Sequence, residues 1–160
     1  MRVHFGVYGI IMREDKILVV NKEKGHYKNR YDLPGGSMKE TDKDLIDTLK
    51  RELYEEAGII EFQIFNNSVY DFWINPINEE GYLHIAIFYN IHAKIDDQFK
   101  PKLTDSTGEE NDSSEAHWFP VTDLTLNNAS PLLLKAKEIA VNQSINYQTK
   151  YYNNWAIKGD

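Results

Sequence analysis

The chain has 160 residues, a formal net charge of −7 and no cysteine. This length suits one domain with a real core, so we expect a single domain over residues 1–160, with a tail from 144 to 160 that the sequence does not place. The acidic charge, without a broad basic patch, argues against binding of duplex nucleic acid, and the lack of cysteine excludes disulfides, a thiolate nucleophile and cysteine-based zinc sites. No run is long and apolar enough to span a membrane and no leader pattern opens the chain, so we expect a cytoplasmic protein without a membrane partner.

Two strand patterns open the chain. Residues 3–12 are rich in β-branched and aromatic side chains, and 17–20 is a short apolar run after a polar turn, so the pair predicts a hairpin. A polar loop with several cations follows at 21–30. Such runs are usually solvated, but Arg30 stands nearest the glycines that follow. It could clamp a substrate phosphate with two donors, so it is the substrate-binding candidate.

A glycine-rich turn followed by a helix is the strongest local signal. Residues 33–36 read Leu-Pro-Gly-Gly, in which proline fixes φ and the glycines permit unusual backbone shapes. Apolar residues then recur at three- and four-residue steps and predict a helix with one buried stripe: Leu45, Ile46, Leu49, Leu53 and Ala57. Thr41 and Asp42 are the candidate N-caps, and Gly58 is the expected C-terminal stop.

Three carboxylates share one face of this helix, away from the apolar stripe. They are Glu52, Glu55 and Glu56, spaced three and four residues apart. Clustered anions repel one another, and a hard divalent cation such as Mg²⁺ would supply the missing charge. The bare backbone of Gly35 and Gly36 enters from the other side and could bring a carbonyl oxygen to such a cation.

At these residues the sequence resembles the Nudix (MutT-like) hydrolases. The family pattern is Gly, five residues, Glu, seven residues, then Arg-Glu-apolar-any-Glu-Glu-any-Gly-apolar. Residues 51–59 match its second half without exception, and the preceding Leu-Pro-Gly-Gly is typical of the family.

The first half of the pattern departs from the family. Gly36 lies one residue further from Arg51 than the pattern demands. The family's first Glu therefore falls on Asp42 counted from the glycine, and on Lys43 counted back from the arginine. We interpret this as a one-residue insertion in the turn, with Asp42 or Glu40 as the stand-in.

The second half of the chain alternates extended and polar segments. Residues 61–74 read as extended, and 82–95 as the longest strand, apolar on both faces and therefore central in a sheet. A long polar segment at 96–114 favours a functional loop, and a short strand at 116–120 follows it. Ser130 and Pro131 open a last helix. The tail could cap the domain, add a strand or join the interface of a homodimer.

The resemblance implies a fold, a reaction and roles for residues. The fold would be a Nudix-type α/β/α sandwich with a mixed β-sheet, and the reaction hydrolysis of a nucleoside diphosphate linked to another group, a small-molecule nucleotide. Mg²⁺, or alternatively Mn²⁺, would be held by the three glutamates with Gly35 or Gly36. Arg51 would orient the carboxylates, and the base would be Glu52 or a carboxylate of the polar loop. The loop candidates are Glu109, Glu110, Asp112 and Glu115, of which Glu115, before a Trp-containing strand and a proline, most resembles the family arrangement.

Two other classes stay open at this point. The irregular first half of the motif would also suit a Nudix-fold nucleotide-binding module or regulator without hydrolysis. A Nudix-fold enzyme of another reaction, such as an isomerase, is the second alternative. The intact glutamate cluster favours the hydrolase.

Overall fold

The computed structural model describes residues 1–104, 113–142 and 146–159. Its elements are β1 (Arg2–Arg13), β2 (Lys16–Lys22), β3 (Tyr31–Asp32), β4 (Gly35–Gly36), α1 (Leu45–Ala57), β5 (Phe62–Pro76), β6 (Tyr82–Ala93), β7 (Ser113–Pro120), a short 3₁₀ helix (Val121–Asp123), α2 (Pro131–Asn142) and β8 (Lys150–Trp155). Neither helix in these three ranges has the length and apolar character needed to cross a membrane.

The strands form one mixed sheet in the order β3-β2-β1-β6-β5-β8. β1 runs parallel to β6 over ten residue pairs, from Arg2↔Tyr82 to Ile11↔Ile91, and β5 runs antiparallel to β6. The far end of β1 turns back into β2 as the predicted hairpin, and β7 adds to the other side of β2. The central position predicted for the strand that begins at residue 82 is therefore confirmed.

Each face of the sheet carries a helix. On one face, Leu49 and Leu53 of α1 pack against Val7, Ile11 and other buried residues of the central strands. The opposite face carries α2, whose buried leucines lie over a second cluster of strand side chains. Because successive strand residues point to opposite faces, neighbours such as Val7 and Tyr8 belong to different clusters. This arrangement confirms the predicted α/β/α sandwich with a mixed sheet.

Helix α1 begins later than the sequence suggests. Its N-cap is Asp44, whose Oδ1 accepts a hydrogen bond from the backbone N–H of Asp47 at 2.8 Å. The prediction of Thr41 or Asp42 as the cap is wrong, because the Asp42 carboxylate is engaged elsewhere. At the other end Gly58 has φ 73° and its N–H bonds the last turn, which confirms the predicted glycine stop.

The tail adds a strand, one of the three options left open by the sequence. β8 pairs parallel with β5, from Phe72↔Lys150 to Asn75↔Asn153. Its last residue, Trp155, is buried, and its indole N–H donates to the carbonyl of His26 at 2.9 Å. The end of the chain thus holds the loop that precedes the glycine-rich turn.

Candidate active site

The glycine-rich turn lies directly against the acidic face of α1. The backbone N–H of Gly35 donates to Glu56 Oε1 at 2.8 Å. At Gly36 an added Cβ would stand 2.6 Å from Glu52 Oε1, and at Gly35 it would stand 2.2 Å from the carbonyl oxygen of Val7. The two glycines are therefore needed for different reasons: Gly35 fits against β1, with φ 147°, and Gly36 makes room for a carboxylate.

Glu56 is a buried carboxyl group. Its residue is only 3% exposed, and a second hydrogen bond comes from Ser113 Oγ to Oε2 at 2.6 Å. Burial, reinforced by the charge of Glu52, raises the pKa of Glu56 to about 8, although Lys22, Ser113 and Gly35 act in the opposite direction. Burial also raises the pKa of Glu52. Ionising two carboxyl groups in one buried site costs free energy, so the pair retains a proton or attracts a cation.

Arg51 organises the remaining carboxylates. Its Nε and Nη2 bond the two oxygens of Asp42 at 2.9 and 2.8 Å, while Nη1 donates to Glu52 Oε1 at 3.1 Å and to Glu55 Oε2 at 3.3 Å. Asp42 also accepts from Thr48 and from a backbone N–H, and its pKa lies well below the usual range, first because of the bonds from Arg51. Asp42, not Glu40, is thus the acidic partner that the inserted turn brings to the arginine.

The donor set suits a hard divalent cation, although the carboxylates do not yet converge on one point. Among the three described ranges, no group of three or more acidic or histidine side chains is arranged to hold a metal ion. Glu55 turns toward Arg51, and Glu56 turns toward Gly35 and Ser113. Burial raises the pKa values of Glu52 and Glu56, so a nearby cation would favour their charged forms, and oxygen ligands are those that Mg²⁺ prefers. The residues therefore fit such an ion.

A cleft of about 460 Å³ opens on the α2 side of the sheet, beside this cluster. Its floor is a buried chain of rings, in which the hydroxyl groups of Tyr8 and Tyr27 contact the two nitrogens of His84 at 2.9 and 2.6 Å. Burial lowers the pKa of His84 well below its usual value, so the imidazole is neutral. One nitrogen then donates and the other accepts, which gives the floor a fixed hydrogen-bond direction.

The rim of the cleft is basic, with one carboxyl group at its base. The lining includes Arg2, Lys22, Lys24 and His26. Asp32 also lines it, with Oδ1 bonded by the N–H of Leu33 at 2.8 Å and by Ser130 Oγ at 2.6 Å. Burial raises the pKa of Asp32. Because Lys22 lowers the pKa of Glu56, and Glu52 and Glu56 contribute to the raised pKa of Tyr8, the cleft lies within electrostatic reach of the acidic helix.

Arg30 has a different position from the one expected. It is only 6% exposed, its guanidinium lies 4.1 Å from the centre of the Trp155 ring, and Nη1 donates to the carbonyl of Ala156 at 3.1 Å. The predicted contact of Arg30 with a substrate phosphate stays a prediction. The Trp155 ring of strand β8 binds this side chain because a flat guanidinium stacks well on an aromatic ring.

The polar segment before β7 is only partly described. Glu109, Glu110 and Asp112 lie outside the described residues. Glu115 is exposed on β7 and receives a long hydrogen bond, 3.4 Å, from Asn21. The sequence did not predict the contact of Ser113 with Glu56, since a serine at the start of a strand carries no distinctive pattern.

Comparison with known proteins identifies the relationship. The model of the NUDIX domain family matches residues 2–139. An 8-oxo-dGTP diphosphatase of Buchnera aphidicola subsp. Schizaphis graminum (strain Sg) is 35% identical over 98 residues, which cover 51% of this chain and 75% of that protein.

Two solved structures share the fold. A NUDIX hydrolase from Nitrosomonas europaea matches with a TM-score of 0.59 and 18% identity, covering 96% of this chain and 80% of that one. The NUDIX domain of Shewanella oneidensis NrtR, complexed with ADP ribose, matches with a TM-score of 0.59 and 16% identity over 89% of each chain.

Proposed function

This chain belongs to the Nudix family, and we propose that it is a Mg²⁺-dependent hydrolase that cleaves the pyrophosphate linkage of a nucleoside diphosphate joined to another group. The observation that carries the proposal is the buried pair of Glu52 and Glu56 against the bare backbone of Gly35 and Gly36. A binding module has no evident need for two carboxyl groups held where their negative charge is costly.

The cation would be held by Glu52, Glu55 and Glu56 together with a carbonyl of Gly35 or Gly36. Bound there, it supplies positive charge that neutralises phosphate oxygens and stabilises the charge of the transition state. Mn²⁺ is the alternative ion, since it accepts the same oxygen ligands. Asp42 would take the place of the family's first glutamate. Its carboxylate bonds Arg51 and would not bind the cation.

The chain's own residues position the reaction. Arg51 fixes the carboxylates of Glu52 and Glu55 by donating to both. Glu52, whose pKa is raised by burial, is the proposed base that takes the proton of the attacking water. The water oxygen bonds to phosphorus, the bridging P–O bond breaks, and the bridging oxygen leaves with the electron pair on the departing phosphate. Glu115 is the second candidate for the base.

The cleft beside the helix would hold the nucleoside. Its volume lies within the range of small-molecule pockets, and the partly exposed His26 ring, which packs 4.9 Å from that of Tyr82, offers an aromatic surface for a base. The basic rim suits the phosphates, and Asp32 offers a hydrogen-bond acceptor to a base or ribose. A nucleoside triphosphate, as for the similar 8-oxo-dGTP diphosphatase, and a nucleotide sugar such as ADP-ribose are the two substrate types to compare.

A product-release assay tests this proposal. Nucleoside triphosphates, 8-oxo-dGTP, ADP-ribose and a dinucleotide polyphosphate are each incubated with protein and Mg²⁺, and the products are separated by ion-exchange chromatography. We expect cleavage between two phosphorus atoms of at least one compound, and a fall of about a hundredfold in turnover for Glu55→Gln and for Glu56→Gln. The matched control is Glu61→Gln, an exposed carboxylate paired with Lys94, which should behave as the wild type. Tight binding of a nucleotide without cleavage would favour the regulator, and conversion without water would favour the isomerase.

A further inference from the structure

Part of one face of the sheet is apolar and is covered by neither helix. In the pairing register, Val3, Leu83, Trp73 and Tyr151 form a row across β1, β6, β5 and β8. The next row is Phe5, Ile85 and Asp71, and the third contains Val7, Ile87 and Val69. We define the open face as the surface formed by Val3, Phe5, Val69, Asp71, Trp73, Leu83, Ile85 and Tyr151.

The open face belongs to the same side of the sheet as α1. Val7 of the third row packs against Leu49 and Leu53 of that helix. The helix covers the sheet from Val7 onward, toward Ile11, and leaves the first two rows and Val69 of the third uncovered. The exposed fractions are 46% for Val3, 38% for Phe5, 50% for Val69 and 64% for Tyr151. Apolar side chains grouped in this way on a folded protein mark an interaction surface.

We propose that the open face is the interface of a homodimer, in which a two-fold axis packs the face against its copy in a second molecule. Two sheets stack about 10 Å apart when apolar side chains interdigitate between them. In a two-fold contact each molecule presents the same surface, so the open face would pack against its own copy.

The charges of the face favour a second copy over a partner of opposite charge. The chain carries a net charge of −7, yet the open face has only one charged residue, Asp71. Both oxygens of that carboxylate accept from Thr149 Oγ1, at 3.0 and 2.9 Å. A basic partner would therefore find little to bind here, whereas a copy of the face brings one carboxylate that is already hydrogen-bonded within its own chain.

The exposed area also fits a modest dimer. An aromatic side chain offers about 200 Å², so Phe5, Tyr151 and the two valines together leave roughly 350 Å² open on each copy. Contact between two copies would cover about twice that area, before Trp73, Leu83, Ile85 and a polar rim are counted. Stable interfaces begin near a total of about 1,200 Å², so we expect a dimer that dissociates in the micromolar range.

The sheet edge is the less suitable place for association. β8 ends the strand order, and its ladder to β5 is irregular between Asn75 and Pro76. Asn154, in the same strand, has φ 55°. Such irregularity discourages a second chain from extending the sheet.

Sedimentation equilibrium over a range of concentrations tests the proposal. The wild type should approach twice its chain mass of 18.7 kDa by about 100 µM. Val69→Lys/Tyr151→Lys should remain monomeric, and thermal melting should show that it stays folded, since both side chains are largely exposed. The control Ile60→Lys/Leu126→Lys places the same charge at exposed apolar positions off the face and should still dimerise.

Three results would overturn the proposal: a monomeric wild type, dimers of both variants, or loss of the dimer in both. A cross-linking experiment gives a second measurement that does not depend on charge. Because the chain has no cysteine, Val69→Cys, Phe5→Cys and Tyr151→Cys each carry one thiol. A bismaleimide should join at least one of them into a covalent dimer and leave Leu126→Cys monomeric. Failure of all three would place the interface elsewhere.

Discussion

Replacing Glu56 by glutamine should stabilise the metal-free protein at alkaline pH while removing its activity. Burial and the charge of Glu52 raise the pKa of Glu56 to about 8, from an ordinary value of 4.5. The folded chain then holds a proton that the unfolded chain has released between these two pH values. A group with a raised pKa contributes stability that is complete below its unfolded pKa and is lost as the pH rises through its folded pKa.

The size of the effect follows from the same two values. One pKa unit corresponds to about 1.4 kcal/mol, so the contribution lost between pH 4.5 and pH 8 is at most about 5 kcal/mol. Glutamine stays neutral across this range and retains an acceptor for the Gly35 N–H. The difference in unfolding free energy between Glu56→Gln and the wild type should therefore grow with pH, by a few kcal/mol.

Urea denaturation in the presence of EDTA, at intervals between pH 5 and pH 8.5, measures this difference. Glu61→Gln, at an exposed position, controls for the loss of one carboxylate and should follow the wild type. A parallel pH dependence of stability in Glu56→Gln and the wild type would refute the reasoning, because it would mean that Glu56 takes up no proton on folding.

Four further variants separate the roles of the site residues. Asp42→Asn removes the charge and one of the two oxygens that accept from Arg51, and it should cost about 3 kcal/mol in urea denaturation, with lower turnover; unchanged stability would show that the pair contributes little. Gly36→Ala should lower turnover at least about tenfold with little change in melting temperature, since the added Cβ would contact the Glu52 carboxylate. Gly35→Ala should lower the melting temperature, since its Cβ would collide with the backbone carbonyl of Val7. Arg30→Met should lower the melting temperature and leave KM unchanged; a raised KM in a stably folded variant would support the phosphate-clamp prediction.

The sequence predicted the elements whose side chains repeat at a regular spacing. The apolar stripe of α1, the glycine stop at Gly58 and the apolar strand 82–95 are local patterns, and the structure contains all three. The same holds for the cap of α2, where Ser130 Oγ accepts from the N–H of Leu133. Each of these features is set by neighbours within a few residues in the chain.

The features that the sequence did not predict depend on residues far apart in the chain. Aspartate is a residue type favoured at N-caps, but the Asp42 carboxylate bonds Arg51, nine residues away. Asp44 is therefore the N-cap. Arg30 stacks on Trp155, 125 residues further along the chain, and no local pattern signals that strand β8 will reach it. The hydrogen bond between Ser113 and Glu56 arises in the same way.

The most direct measurement is the initial rate of pyrophosphate-bond cleavage as a function of Mg²⁺ concentration, for the wild type and for Glu56→Gln. The best substrate from the product-release assay is used, and free metal is first removed with EDTA. We predict no turnover without metal, saturable recovery on adding Mg²⁺ in the wild type, and a maximal rate at least about a hundredfold lower in the variant. Cleavage that persists in EDTA, or a variant that recovers the full rate, would contradict a metal-dependent site on the acidic face of α1.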